Sequence, residues 1–566
     1  MPAMRELDYA ALRRQARWRW AGLLLLFVSL YGAAQFLNLN LSPILTRAGW
    51  DSALGILSGL LKPDFSPDFL RRIFSLTLES LCIGLVGGAL ALLLGAGMAL
   101  CIIRVPDLVE PPQFAPLWRR LGFAMLRQVL RILLAGLRAV PEIVWAYVFV
   151  RLFGLGVLPA VLAIGLTVGA SIAKLFAELA EAVDARPLQT MRAAGAGRSA
   201  LLLFGVLPQV ARQWLAYALF RLECNIRSGA ILGVVGAGGL GSEIVLALRY
   251  FQYDKLATAL LAVLCLTLML EFCSARLRRL SPRTVLMALT ASALTALYFL
   301  DAPWRDLLQP AGMSLLSFDA PLQLDTLRHA TRLVLDTLVM AWCATWLAAG
   351  GALLLAPLAA RQLRPAGYLP DAVRPPGWRS WLDQTGQIIC RSLTQVVRAL
   401  PELCLALVFV VWVGAGPLAG ILAIALHNLG VLGRLYADVL EEAAPAPVAA
   451  LQSMGLGRLG CFMFGVWPQV RARLAAFTLY RFEVNVRVTA MMGFVGAGGI
   501  GDALHTAISL FHMQDLSALL LTMALLVALV DALGDRVRSA LLRTDQLSTA
   551  QTPDAAQVAT RLQAQT

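Results

Sequence analysis

Apolar residues in this chain come in long unbroken runs, and most runs suffice to cross a bilayer, which takes roughly 20 residues of helix. In the first half they fall at Trp18–Phe36, Phe74–Ile103, Ile132–Phe153, Leu158–Leu179, Val210–Val235 and Leu256–Phe272. In the second half they fall at Val285–Leu300, Leu333–Leu358, Leu393–Val413, Leu418–Leu440, Val470–Val495 and Leu516–Leu533. The pattern predicts an all-α polytopic membrane protein of about 12 transmembrane helices.

Composition removes the other classes. Of 566 residues, 14% are charged and 59% hydrophobic, whereas soluble domains carry about 25% charged residues. An ordinary soluble enzyme and a disordered chain are both excluded, and nine scattered cysteines are too few for a disulfide scaffold. The net charge of +14 is almost all arginine, with lysine only at Lys62, Lys174 and Lys255. In a membrane protein such arginine marks cytoplasmic connections, so no nucleic-acid partner is expected.

Sidedness follows. Arg5, Arg13, Arg14 and Arg17 precede the first run, and Arg19 lies at its start. Arg104, Arg119, Arg120, Arg127, Arg276, Arg278, Arg279 and Arg283 fall on the same side if each run crosses once, as do Arg361, Arg364, Arg374, Arg379, Arg536, Arg538 and Arg543. Asp51, Asp64, Asp68, Asp301, Asp306, Asp319 and Asp325 fall opposite. Both termini are expected in the cytoplasm. The first run has no cleavage site and reads as an uncleaved anchor, and residues 544–566 read as a disordered cytoplasmic tail.

Three segments recur at one offset of 260: Arg138–Glu142 as Arg398–Glu402, Phe204–Val210 as Phe464–Val470, and Val235–Gly241 as Val495–Gly501. About a hundred residues align without a gap at roughly 40% identity. With six spans each, the copies keep one orientation, giving parallel repeats, 1–282 and 283–543, around a shared central route.

The fifth run of each copy is charged: Arg221-Leu-Glu223-Cys-Asn225-Ile-Arg227 and Arg481-Phe-Glu483-Val-Asn485-Val-Arg487. Arginine at bilayer depth costs about 2.5–3.5 kcal/mol on insertion scales, so it faces protein or water. Glu223 with Arg227, and Glu483 with Arg487, have the spacing of an i,i+4 pair. Each segment still carries one surplus positive charge, and Arg227 and Arg487, with Asn225 and Asn485 as amide donors, are expected to line the route and meet a tetrahedral oxyanion. The glycine run Gly236, Gly238, Gly239, Gly241 fits a dinucleotide fingerprint, but it follows a membrane span rather than a strand. It and its copy Gly496, Gly498, Gly499, Gly501 instead suit a bend or gate.

Between the fourth and fifth runs lies Asp184-Ala-Arg-Pro-Leu-Gln189-Thr-Met-Arg192-Ala-Ala-Gly195, followed by Gly197, Arg198 and Pro208. Gly455, Gly457, Arg458 and Pro468 repeat the spacing. This resembles the "EAA" loop of bacterial ABC importer permeases. Together with F-E-x-N-x-R, V-G-A-G-G-[LI]-G and Arg-Ala-[VL]-Pro-Glu, it looks most like the phosphonate permease family, which includes phosphite and related oxyanion permeases. The chain looks like two such units fused. The loop's usual glutamate is replaced by Gln189 and Ala449, and Leu222 stands where the second copy has the more family-like Phe482.

The resemblance implies a type I importer permease in a bacterial cytoplasmic (inner) membrane, two cytoplasmic ATPase subunits docked on these loops, and an external solute-binding protein. It implies no cofactor on this chain, with ATP and Mg held by the partners. The sequence agrees in lacking G-x-x-x-x-G-K-[ST]. His329, His427, His505 and His512 are isolated, and no catalytic or metal constellation stands out. A permease for methionine or a quaternary amine, and a secondary transporter working alone, remain open on sequence grounds.

Overall fold

The computed structural model describes residues 24–103, 117–300, 302–307, 324–360, 377–457, 460–510 and 512–550. The arginines expected to mark the cytoplasmic side before the first run, and Arg104, Arg361, Arg364 and Arg374, lie outside them.

Regular structure among the described residues is entirely helical. The first half holds α1 (Leu24–Phe36), α2 (Arg47–Leu60), α3 (Pro67–Ile102), α4 (Leu117–Ala139), α5 (Glu142–Phe153), α6 (Val157–Glu181), α7 (Ala185–Ala193), α8 (Leu207–Leu232), α9 (Leu240–Arg249) and α10 (Tyr253–Leu277). The second holds α11 (Pro282–Phe299), α12 (Leu324–Ala359), α13 (Gly377–Ala399), α14 (Glu402–Val413), α15 (Pro417–Glu441), α16 (Pro445–Ser453), α17 (Trp467–Met492), α18 (Gly499–Ser509) and α19 (Met513–Ala550). From α4 to α8 every boundary recurs 260 residues later, so the repeat extends well beyond its three identical segments. Helix α19 runs to Ala550, which makes the start of the expected disordered tail helical.

Six helices (α3, α6, α10, α12, α15, α19) are long and apolar enough to cross a membrane unbroken. The straight spans expected at Ile132–Phe153 and Leu393–Val413 are not straight. Each is two helices, α4 with α5 and α13 with α14, meeting at 90°. Pro141 and Pro401 stand at the corners: proline has no N–H for the ladder and drives the preceding residue out of helical geometry. A third pair, α8 with α9, bends by 43°. The remaining expected crossings correspond to the short α1, to α11, and to α17, which carries Arg471, Arg473, Arg481 and Arg487.

The halves interlock. Helix α11, which opens the second repeat, packs along α3 of the first. Reciprocally, Ser29 of α1 accepts a hydrogen bond from Trp342 Nε1 of α12, at 3.2 Å. Trp412 Nε1 of α14 donates to Gly49 O of α2 at 2.9 Å. One apolar cluster joins Ile143, Val144 and Ile164 to Met340, Leu403 and Met492. Outward-facing Leu24, Phe27, Leu286 and Leu354 are largely exposed, as lipid-facing residues are.

Candidate functional site

The proline corners carry a carboxylate each into the middle of the molecule. Glu142 and Glu402 are the first residues of α5 and α14, close enough across the two halves to repel one another. Glu142 accepts a hydrogen bond from Ser228 Oγ of α8. Glu402 Oε2 faces His427 Nε2 of α15 at 3.6 Å. The other ring nitrogen, Nδ1, lies 2.9 Å from the Leu400 carbonyl, which can only accept, so Nδ1 carries a proton.

Arginines surround this pair. Arg221 acts on Glu142, while Arg481 and Arg227 act on Glu402, the last from the opposite half. Arg481 Nε donates to Asn428 Oδ1 at 2.6 Å. Arg221 and Arg227 make no ion pair among the described residues, and the Nε of each is buried without a hydrogen-bond partner. The centre therefore gathers three guanidiniums against two carboxylates.

The i,i+4 pairing expected of Glu223 with Arg227 and of Glu483 with Arg487 does not form. Glu223 Oε1 meets Arg278, just past the end of α10, at 2.8 Å, and Glu483 Oε2 meets Arg538 of α19 at 3.2 Å. Arg487 binds Asp531 at 3.2 Å, so it is not the free cation expected. Arg138 of the first half approaches the same Asp531 at 3.9 Å. The mirrored contact is Arg398 of the second half with Glu271 of the first, 2.9 Å, braced by Gln395. Two ion-pair clusters thus tie the halves together beside the central carboxylates.

Asn485 is fully buried and its amide is already engaged, receiving Asn428 Nδ2 and donating to Thr345 Oγ1, both at 2.7 Å. Asn225 is likewise buried. The residues that sequence reasoning missed are Glu142, Glu402, His427, Glu271 and Asp531. The recurring acid just after Pro141 and Pro401 was the available signal for the first two.

The glycine run forms the corner between α8 and α9. Gly236, Gly238 and Gly239 have φ of +86°, +80° and +79°, and Gly496, Gly498 and Gly499 repeat this, a conformation open to glycine at little cost. Gly239 N donates to Glu79 Oε1 at 3.1 Å and Leu240 N to Ser80 Oγ at 2.9 Å, which fastens the corner to α3. At the other end of the bundle, the loops expected to contact ATPases are the short helices α7 and α16, each followed by a glycine at φ +82°, Gly195 and Gly455. Gln189, Arg192, Gly197 and Gly457 are exposed there. The Arg198 side chain and Arg458 lie outside the described residues.

Two interlocked helical repeats, with a charged centre between them and a short exposed helix at one end of each, define a membrane permease. Residues 117–286 and 380–544 each match the family described as binding-protein-dependent transport system inner membrane component, and the chain belongs to that family twice over. It is 30% identical over 518 residues to the phosphate-import permease protein PhnE of Mycolicibacterium smegmatis, spanning 87% of this chain and 90% of that protein. It is 35% identical over 253 residues to the phosphite transport system permease protein PtxC of Stutzerimonas stutzeri, covering 45% of this chain and 82% of that one. Among solved structures, an inward-facing MetNI methionine ABC transporter aligns with 39% of this chain and 99% of its own at 21% identity, with a TM-score of 0.33, too slight a likeness to bear on function.

Proposed function

We propose that the chain is the entire transmembrane core of an ATP-driven importer for a small phosphorus oxyanion, multi-pass in a bacterial cytoplasmic membrane with both termini in the cytoplasm. Two ATPase subunits dock on α7 and α16, and a solute-binding protein delivers the anion to the opposite end. What carries the reading is the excess of guanidinium over carboxylate where the halves meet, with no ion pair for Arg221 or Arg227 among the described residues. A tetrahedral oxyanion accepts hydrogen bonds from just such forks. The names of the relatives point to the same anion class. A secondary transporter working alone does not fit a family of binding-protein-dependent components.

In this reading Arg221, Arg227 and Arg481 screen the passing anion, with Glu142 and Glu402 as resident counter-charges. The glycine corners Gly236–Gly241 and Gly496–Gly501 shape the outer gate. ATP binding favours the outward-open arrangement by drawing the ATPases together, and the differential affinity of the two arrangements for closed ATPases drives the change.

The test is to purify the chain with its ATPases and binding protein and compare phosphate, phosphite and methylphosphonate as stimulants of ATP turnover, with methionine and sulfate alongside. One phosphorus oxyanion is expected to stimulate several-fold over the others. Equal stimulation by methionine overturns the cargo.

The inter-half clusters make a second expectation. Alternating access has to part Arg138 from Asp531 and Arg398 from Glu271. Solvent-exposed ion pairs contribute up to about 1 kcal/mol each, and these side chains are only 21–24% exposed. Substituting Glu271→Gln together with Asp531→Asn therefore raises solute-independent ATP turnover by a factor of about 5 to 30, the ratio that one to two kcal/mol implies. Unchanged basal turnover shows that these contacts do not hold the resting state.

A further inference from the structure

Helices α7 and α16 occupy equivalent positions, yet they differ in surface and in attachment. We infer that the halves divide the work of meeting the ATPases: α7 docks electrostatically on an acidic ATPase surface, and α16 is the mechanical link that carries ATPase motion into the bundle. The inference rests on the importer reading above and deepens it.

Surface chemistry comes first. Helix α7 exposes Arg186, Gln189 and Arg192. The matching positions on α16 are Ala446, Ala449 and Gln452, and no charged residue occurs from Pro445 to Met454. Met454, which stands where α7 is followed by Ala194, is 74% exposed. A partner groove that takes both helices sees a cation pair on one side and an apolar knob on the other. Charges at a rim govern encounter and salt dependence, whereas apolar contacts are insensitive to salt.

Attachment differs independently. Both helices seat two apolar residues on the π-helical turn that follows: Leu188 and Met191 against Gly205, and Val448 and Leu451 against Gly465. Beyond that, α7 is closed on itself, its Asp184 side chain accepting from Arg186 N at 3.0 Å. Helix α16 has Ala444 at that place, and its N–H is taken instead by Gln469 Oε1 of α17, at 2.9 Å. Gln469 Nε2 also donates to Gly465 O at 2.7 Å. In the first half Gln209 makes only the corresponding bond to Gly205 O, 2.9 Å, among the described residues. A second tie, Glu442 with Arg473, also joins this end of the second half to α17, and its counterparts Ala182 and Gln213 cannot form one. Helix α17 is the one whose Arg481 reaches Asn428 and acts on Glu402 at the centre. The apolar seat is shared by both halves, and the hydrogen bond and ion pair added to it in the second half couple that helix to α17 more stiffly.

The experiment uses the full chain in lipid nanodiscs and liposomes with its ATPases. Arg186→Glu with Arg192→Glu is expected to weaken ATPase association about tenfold at low salt and to flatten its dependence on salt between about 50 and 500 mM. Phosphate or phosphite imported per ATP hydrolysed stays unchanged. Gln469→Ala with Arg473→Ala is expected to leave association intact and to lower import per ATP several-fold. Arg473→Gln alone, at a half-buried side chain, gives a smaller loss of the same kind and guards against a folding defect. The division falls if Ala446→Glu with Gln452→Glu weakens association with the same salt dependence as the α7 variant, or if Gln209→Ala lowers import per ATP as much as Gln469→Ala. If no variant alters association or ATP turnover, the docking role of these helices falls as well, and with it the importer reading.

Discussion

Changing Arg221 and Arg481 together to glutamine is expected to reduce solute import by a factor of about 100 or more, with chain level and ATPase association preserved. A hydrogen bond to a charged group contributes about 1.5–3 kcal/mol, so losing two guanidinium forks removes about 3–6 kcal/mol, or two to four powers of ten. Arg481 also holds Asn428 Oδ1, so a structural explanation has to be separated from a functional one. Adding Glu142→Gln and Glu402→Gln does so. If the arginines serve only to balance the two carboxylates, neutralising all four restores import. If they receive the anion, the quadruple variant stays inactive. Recovery of import in that variant defeats the proposed role, and uptake of radiolabelled phosphate and phosphite in liposomes is the measurement.

The largest effect on stability is expected at Gly501. A Cβ there would lie 1.8 Å from Ala490 O and 2.7 Å from its carbonyl carbon. Both atoms are backbone of α17, so no rotamer change relieves the clash, and the corner between α17 and α18 has to open. Overpacking usually costs about 1–3 kcal/mol, and Gly501→Ala belongs at or above the top of that range. The first-half counterpart is less tight, with Ala230 O at 2.7 Å from a Cβ on Gly241, so Gly241→Ala should destabilise less. Gly457, with nothing within 4 Å, tolerates alanine. Thermal stability in detergent, followed by size-exclusion fluorescence, should order the three variants in that sequence. Equal melting of Gly501→Ala and Gly457→Ala refutes the steric account.

Much was legible before any coordinates. Apolar runs located the helices, because a buried backbone has to satisfy its own hydrogen bonds and only helices do so locally. The 260-residue offset gave the duplication, and the family match to both halves bears out two permease units in one chain. The repeated loop spacing marked the two segments that form α7 and α16. Other features were hidden. Pro141 and Pro401 sit inside runs that are apolar enough overall to read as single spans, so the two straight spans expected there conceal right-angle corners. The short α9 and α18 were missed because glycine-rich flanks read as loop.

Ion-pair partners were the least legible part. Glu223 and Arg227 have ideal helical spacing, yet Arg278 takes the carboxylate because α10 lies beside α8, and Arg227 is left with no ion pair among the described residues. His427 seemed isolated until the α14 corner brought Glu402 to it. The chain by itself determined the helices, the repeat, the arginine-rich centre and the exposed loops, since each depends on hydropathy or spacing over a few turns. Only the tertiary structure decided which carboxylate meets which guanidinium and how the two repeats interlock. Those choices depend on which helix faces are pressed together, and residues far apart in sequence settle that jointly.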